Sequence, residues 1–228
     1  MQPQADPFIV PICHEQIEVL YQDESLLLIN KPSGLLSLSG KHPLNIDSVH
    51  YRLVKEFPTA TLLHRLDFGT SGVMLVALNK AVNSALTKQF QAQSIRKTYT
   101  AILHGHLPEE SGIIDAPIAK GDFPLQIISK EKGKQALTHY EVLAFDEAEA
   151  EEGELELTTR VLFSPRSGRT HQLRIHSQFI GHPILGCDLY ASDDAFFMAQ
   201  RLMLHATSLT FTHPVSGERI NFVVPCPF

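Results

Sequence analysis

His64-Arg65-Leu66-Asp67-Phe68-Gly69-Thr70-Ser71-Gly72 places one carboxylate between an arginine and a turn of small residues, and the apolar run Val73 to Leu78 follows directly. Gly69 to Gly72 reads as a tight turn, and the run behind it as a strand belonging to a core. Asp67 therefore sits on a loop at the entrance to a core strand. A loop aspartate has two readings. It folds back on its own backbone as an Asx-turn, as most do, or it is a chemical group held out on a rigid support. Local sequence favours the turn, so the rest of the chain has to decide.

Working outward, Glu18 to Asn30 reads as two short strands around a polar turn at Asp23 to Ser25, and Lys31-Pro32-Ser33-Gly34 as a second turn. Ser48 to Phe57 carries Val49, Leu53, Val54 and Phe57 at helical spacing before Pro58. Asn79 is placed to cap a helix running to about Gln93, with Val82, Ala85, Leu86 and Phe90 along one face. Lys97 to His106 has strand composition, with Tyr99, Ala101 and Leu103 on one side. Gly121 to Gly133 resembles a long loop or hairpin, and Thr138 to Phe145 and Leu155 to Phe163 a strand pair joined by an exposed acidic connection. A helix is expected over Thr170 to Phe179, ending at Gly181, with its arginine-rich start suited to anions. Arg201 to Val224 is strand-like again, with Met203, Leu209, Phe211, Ile220 and Val223 inside and a turn at His213-Pro214. No repeat or interdomain linker interrupts this pattern. It predicts an α+β fold, with an arm over residues 1–17 and one domain over 18–228, either a single unit or two lobes about a cleft.

Composition narrows the class. A chain of 228 residues, 43% hydrophobic and 19% charged, is long enough for a sizeable core. Its start has no basic segment followed by an apolar one, and no run approaches the ~18 apolar residues of a membrane span. Cys13, Cys187 and Cys226 are odd in number and widely spaced, which fits a reducing cytoplasm better than a disulfide framework or zinc ribbon. The net charge of -6 conceals segregation: of 25 acidic residues, seven lie between Asp146 and Glu156, against 19 Lys and Arg in the whole chain. Phe68 to Pro108 holds no acid but Lys80, Lys88, Arg96 and Lys97; Leu157 to Cys187 holds none but Arg160, Arg166, Arg169 and Arg174. Two such windows suit one phosphate-attracting face, or simply two solvated sides.

The candidate chemistry joins Asp67 to residues of both windows. Asp67 is suited to act as nucleophile or base, Arg174 to orient a carboxylate by a charge-assisted pair, and Tyr99 to stack on a base with its hydroxyl near a transferable proton. A metal-dependent hydrolase fits less well despite 12 histidines, because His171 and His176 lack the zincin His-Glu-x-x-His spacing and no carboxylate lies between Leu157 and Cys187.

Four motifs in order, His64 to Gly72, Lys97-Thr98-Tyr99, Gly168-Arg169-Thr170-His171-Gln172-Leu173-Arg174-Ile175-His176 and Leu204-His205-Ala206, resemble the RluA-type pseudouridine synthases. Asn30 to Gly34, Gly181 to Gly186 and His213 to Gly217 extend the resemblance over about Leu20 to Val224. It implies the pseudouridine synthase fold, a mixed, mainly antiparallel sheet with flanking helices and a central RNA-binding cleft. It implies that Asp67 attacks a flipped uridine at C1′ or C6, that Arg174 pairs with the aspartate and that Tyr99 stacks on the uracil. Leu204 would line the base pocket, Arg65 would fill the space the base vacates, and His64, Lys97 and Arg169 would contact RNA. No metal, redox step or nucleotide cofactor is implied. The short N-terminus and the Gly181 to Gly186 run are most similar to the branch acting on both large-subunit (23S) rRNA and a tRNA anticodon stem-loop, as a monomer without a membrane partner. Gly121 to Gly133 and the acidic stretch do not match that branch clearly, and the arm is too short for the S4 module of some relatives. The competing reading from another class is a silent RNA-binding or ribosome-assembly protein that keeps the fold.

Overall fold

The apolar runs read as strands form strands in sequence order, and further strands at Thr61–Leu62, Ser111–Asp115 and Ile118–Lys120 were not named from the sequence. The computed structural model describes residues 9–149 and 155–228. The first half contains β1 (Glu18–Gln22), β2 (Leu26–Lys31), α1 (Val49–Leu53), β3 (Thr61–Leu62), β4 (Ser71–Ala77), α2 (Lys80–Gln91) and β5 (Arg96–His104). The remainder contains β6 (Ser111–Asp115), β7 (Ile118–Lys120), β8 (Gln126–Ile128), β9 (Leu137–Glu149), β10 (Leu155–Pro165), α3 (Gln172–Phe179), α4 (Asp193–Phe197), β11 (Leu204–Thr212) and β12 (Arg219–Val223). This is the expected α+β class, and none of the described helices is long and apolar enough to cross a membrane.

Two compact units emerge, residues 1–95 with 208–225, and residues 96–207 with 226–228. In the first, β4 pairs antiparallel with β2 and with β3, and β1 with β2. Every residue of β4 is buried, as are Leu26 to Ile29 of β2, which is why both read as unbroken apolar runs rather than alternating ones. Asn79 caps α2 through Oδ1, accepting from Val82 N at 2.9 Å, and Val82 and Leu86 are the buried residues of the helix. Ser48 caps α1 in the same way, but the helix stops at Leu53, short of the Phe57 expected from spacing; Phe57 N bonds Leu53 O to close a turn before Pro58.

In the second unit, β10 lies between β5 and β9, and β6 joins the far side of β9, all antiparallel. Ala101, Leu103, Val161, Phe163, Leu173, Ile175 and Leu204 form its core. The Gly121 to Gly133 segment holds the connection of the β7–β8 hairpin, β8 itself and the turn after it. The acidic stretch expected as a loop contributes Asp146 to Glu149 to β9 and Leu155 to Glu156 to β10, while its middle lies outside the described residues, as does most of the arm's first half. The inward residue at the end of β12 is Val224; Val223, expected inside, is 56% exposed, because period-two alternation starting from Ile220 puts it on the opposite face.

Candidate active site

Asp67 sits on a loop of the first unit whose main chain is held at several successive positions. Ser37 Oγ donates to Leu66 O (2.7 Å) and accepts from Leu66 N (3.0 Å). Asp67 O accepts from Thr70 N (3.1 Å), Phe68 O from Gly34 N (2.9 Å) and Lys31 Nζ (3.2 Å), and Gly69 O from Ser33 Oγ (2.7 Å). Four consecutive carbonyls, Leu66 to Gly69, are thus each held by a donor, and three of the four donor sets come from Lys31 to Ser37. The turn closes through Asp67's main chain, so its i to i+3 bond does not use the carboxylate. Gly34, at φ +72°, supplies the left-handed turn that brings its N–H to Phe68.

Lys31 is fully buried, yet its ammonium donates to Pro32 O (2.8 Å), Leu35 O (2.6 Å) and Phe68 O. A buried cation is tolerable only when its protons are taken up in this way. Arg65 is exposed and Asp67 half-buried. His64 Nε2 accepts from Leu75 N (3.1 Å), and its ring packs tilted on Phe90 at 5.3 Å. Because β3 pairs with β4 only as far as Val76, this ring serves the next N–H along that strand edge, giving His64 a task inside the fold.

The second unit holds the other expected residues. Tyr99 lies on β5 opposite Phe163 and packs against the unit's core, next to Thr100, whose Oγ1 shares a 2.7 Å hydrogen bond with Thr207. Leu204 is buried in that core. Burial lowers the pKa of Lys97, whose ammonium lies beside Gly168. Arg169 is exposed and donates to Gln135 O (3.1 Å). Gln172 fixes this turn: its Oε1 accepts from Ser167 Oγ and Arg169 N, and its Nε2 donates to Leu137 O and Thr138 Oγ1.

Arg174 projects from α3 and is almost fully buried. Its Nε donates to Cys187 Sγ (3.3 Å), its Nη2 to Asp188 Oδ1 (2.5 Å), and its guanidinium carbon stands 5.3 Å from the ring centre of Tyr190. Tyr190 Oη accepts from Gln126 N (2.9 Å) and pairs with His171 Nδ1 (2.8 Å). The structure therefore brings Lys97, Gly168 and Arg169 to one turn, and Arg174 to a cluster that sequence reading left out. One signal was available: Asp188 is the first carboxylate after the acid-free window that contains Arg174. Lys31 and Ser37 were also missed as loop anchors, although Lys31 is a charged residue that closes an otherwise buried strand.

Residues 25–179 match the family model for RNA pseudouridylate synthase. The chain is 45% identical to the dual-specificity RNA pseudouridine synthase RluA of Yersinia pestis, over 92% of this chain and 99% of that protein. It is 41% identical to the protein of that name in Escherichia coli K12, over 99% of this chain and 97% of that protein. Among solved structures, human RNA pseudouridylate synthase domain containing 1 superposes with a TM-score of 0.80 at 30% identity, covering 96% of this chain and 86% of the human one. The chain belongs to the RNA pseudouridylate synthase family, isomerases that convert uridine in RNA to pseudouridine.

Proposed function

We propose that this chain isomerises chosen uridines in large-subunit rRNA and in a tRNA anticodon stem-loop, in the cytoplasm, as a monomer, with Asp67 as nucleophile. The C1′–N1 bond breaks, the uracil turns, C5 bonds to C1′, the C5 proton leaves and N1 takes one up. Atoms and electrons balance within the nucleotide. A stacked uridine is out of reach, so it is flipped at a cost of a few kcal/mol, about what unstacking one base demands, and contacts to the RNA offset this. Arg65 enters the vacated place. Arg174 takes the part of the arginine that the resemblance gives the aspartate as partner, Tyr99 stacks on the uracil, and Leu204 lines its pocket. His64, Lys97 and Arg169 lie in the motifs that meet RNA.

One observation carries the reading: the main chain on both sides of Asp67 is held at four successive carbonyls, which suits a loop that must present a carboxylate in one position. Dual substrate choice is supported by the identity to relatives of dual specificity. Mapping pseudouridine in total RNA from cells with and without the gene tests it. Sites missing from both rRNA and tRNA are expected; identical maps contradict the reading.

A further inference from the structure

Arg174 presents a physical problem that its own helix does not solve. Its side chain is 6% exposed, and a guanidinium so far from water costs several kcal/mol unless an anion and further acceptors meet it, as any buried ion does. The answer comes from the segment after Gly181-His182-Pro183-Ile184-Leu185-Gly186. Gly186 has φ +67°, and a Cβ there would stand 2.1 Å from Arg201 O, so only glycine lets this chain pass so close to the Arg201–Leu202 backbone. The next two residues then face Arg174, Cys187 at Nε and Asp188 at Nη2.

The Asp188 side chain is 63% exposed, so it keeps much of its hydration while neutralising a charge that has lost most of its own. Tyr190 closes one face of the guanidinium. Its hydroxyl is in turn fixed by the β8 main chain at Gln126 and by His171, the residue whose left-handed conformation (φ +55°) starts α3. The planar fork is therefore gripped at two edges and one face. A guanidinium carries its five N–H groups rigidly, so fixing two of them orients the other three.

We infer that Asp188 and Tyr190 are positioning residues for the reaction, setting the plane and the charge balance of Arg174. This rests on the reading that Arg174 serves the chemistry. Asp188 acts through the arginine, so its loss reduces the rate of the bound complex while RNA affinity stays the same.

The test pairs single-turnover pseudouridine formation on a transcribed tRNA anticodon stem-loop with the protection of the Arg174 Nη2–H in ¹⁵N NMR spectra, its resonance assigned by its disappearance in Arg174→Lys. Asp188→Asn, at an exposed position, should slow the saturated rate about tenfold, the worth of one charge-assisted hydrogen bond. It should leave the RNA dissociation constant within about twofold, a small fraction of one such bond, and expose the Nη2–H to exchange. Asp188→Glu should recover part of both. Tyr190→Phe, which keeps the ring and loses only the hydroxyl, should slow the rate less. Wild-type rates in both Asp188→Asn and Tyr190→Phe would overturn the inference. So would a slower Asp188→Asn enzyme whose Nη2–H stays protected, or one whose loss lies wholly in RNA affinity. A wild-type protein that makes no pseudouridine would refute the functional reading instead, and the pairing would then stand or fall on the Nη2–H exchange alone.

Discussion

Lys31, with no exposed surface, donates from its ammonium to the main-chain carbonyl of Phe68 at 3.2 Å, so a lysine 37 positions upstream of Phe68 anchors the residue that follows Asp67. Lys31→Met fills a similar volume with no donors, and the carbonyls of Pro32 and Leu35 lose the same ammonium. Unsatisfying buried acceptors costs about 1–3 kcal/mol each, so a loss of about 2 kcal/mol or more is expected in urea denaturation. An unchanged midpoint would contradict this account of the loop.

Two glycines give contrasting outcomes. Gly186→Ala drives a Cβ to 2.1 Å from Arg201 O at a positive φ and should cost about 3 kcal/mol or more, as overpacking against backbone does. Gly181→Ala has a similar positive φ of +84° but nothing within 4 Å, so only the strain of the left-handed backbone remains, about 1 kcal/mol. Comparable losses in the two variants would show that the Gly186 contact is not tight.

Helix α3 carries a fully buried His176, whose ring meets Thr138 Oγ1 at 2.9 Å and Ala116 O at 3.0 Å. Burial lowers its pKa below 6.5, only partly opposed by the Ala116 carbonyl and Asp115. Between the folded and unfolded pKa values the unfolded chain binds the extra proton. Stability from this residue is therefore complete above about 6.5 and declines as pH falls below it, by at most about 1.4 kcal/mol per pH unit. Urea midpoints measured from neutral to mildly acidic pH should fall in the wild type. The slope should flatten in His176→Gln; an equal slope in the variant would place the titration elsewhere.

Much of this was legible from residues in sequence order. Asn79 announced α2 through its cap, and the unbroken apolar runs of β2 and β4 announced strands buried on both faces. What was hidden depended on conformation or on distant partners. Thr170 and His171 look like good first residues of a helix, but the positive φ of His171 delays α3 to Gln172, and nothing in the side chain announces that. Val223 and Val224 are indistinguishable until the pleat decides which faces inward. Asp188 reads as a surface acid because it is one; only the fold shows which buried cation it meets. The Asp67 motif could be read, but not its anchors, since Lys31, Ser33 and Ser37 lie about thirty residues away and act on main-chain atoms.

Charge segregation predicts how RNA is held. If the windows Phe68 to Pro108 and Leu157 to Cys187 supply the phosphate contacts, affinity for a stem-loop should fall at least about tenfold between about 50 and about 200 mM salt as counterions compete. Filter binding across that range checks it, and a flat response would remove those windows from the interface.

The central claim is that Asp67 does the chemistry. Wild-type protein and Asp67→Asn, which keeps the size and the main-chain anchors of the loop, should be incubated with rRNA and tRNA transcripts and the products mapped for pseudouridine. The account predicts pseudouridine with the wild type and a rate lower by orders of magnitude with Asp67→Asn, at similar RNA affinity and thermal stability. Equal product from both proteins would contradict it.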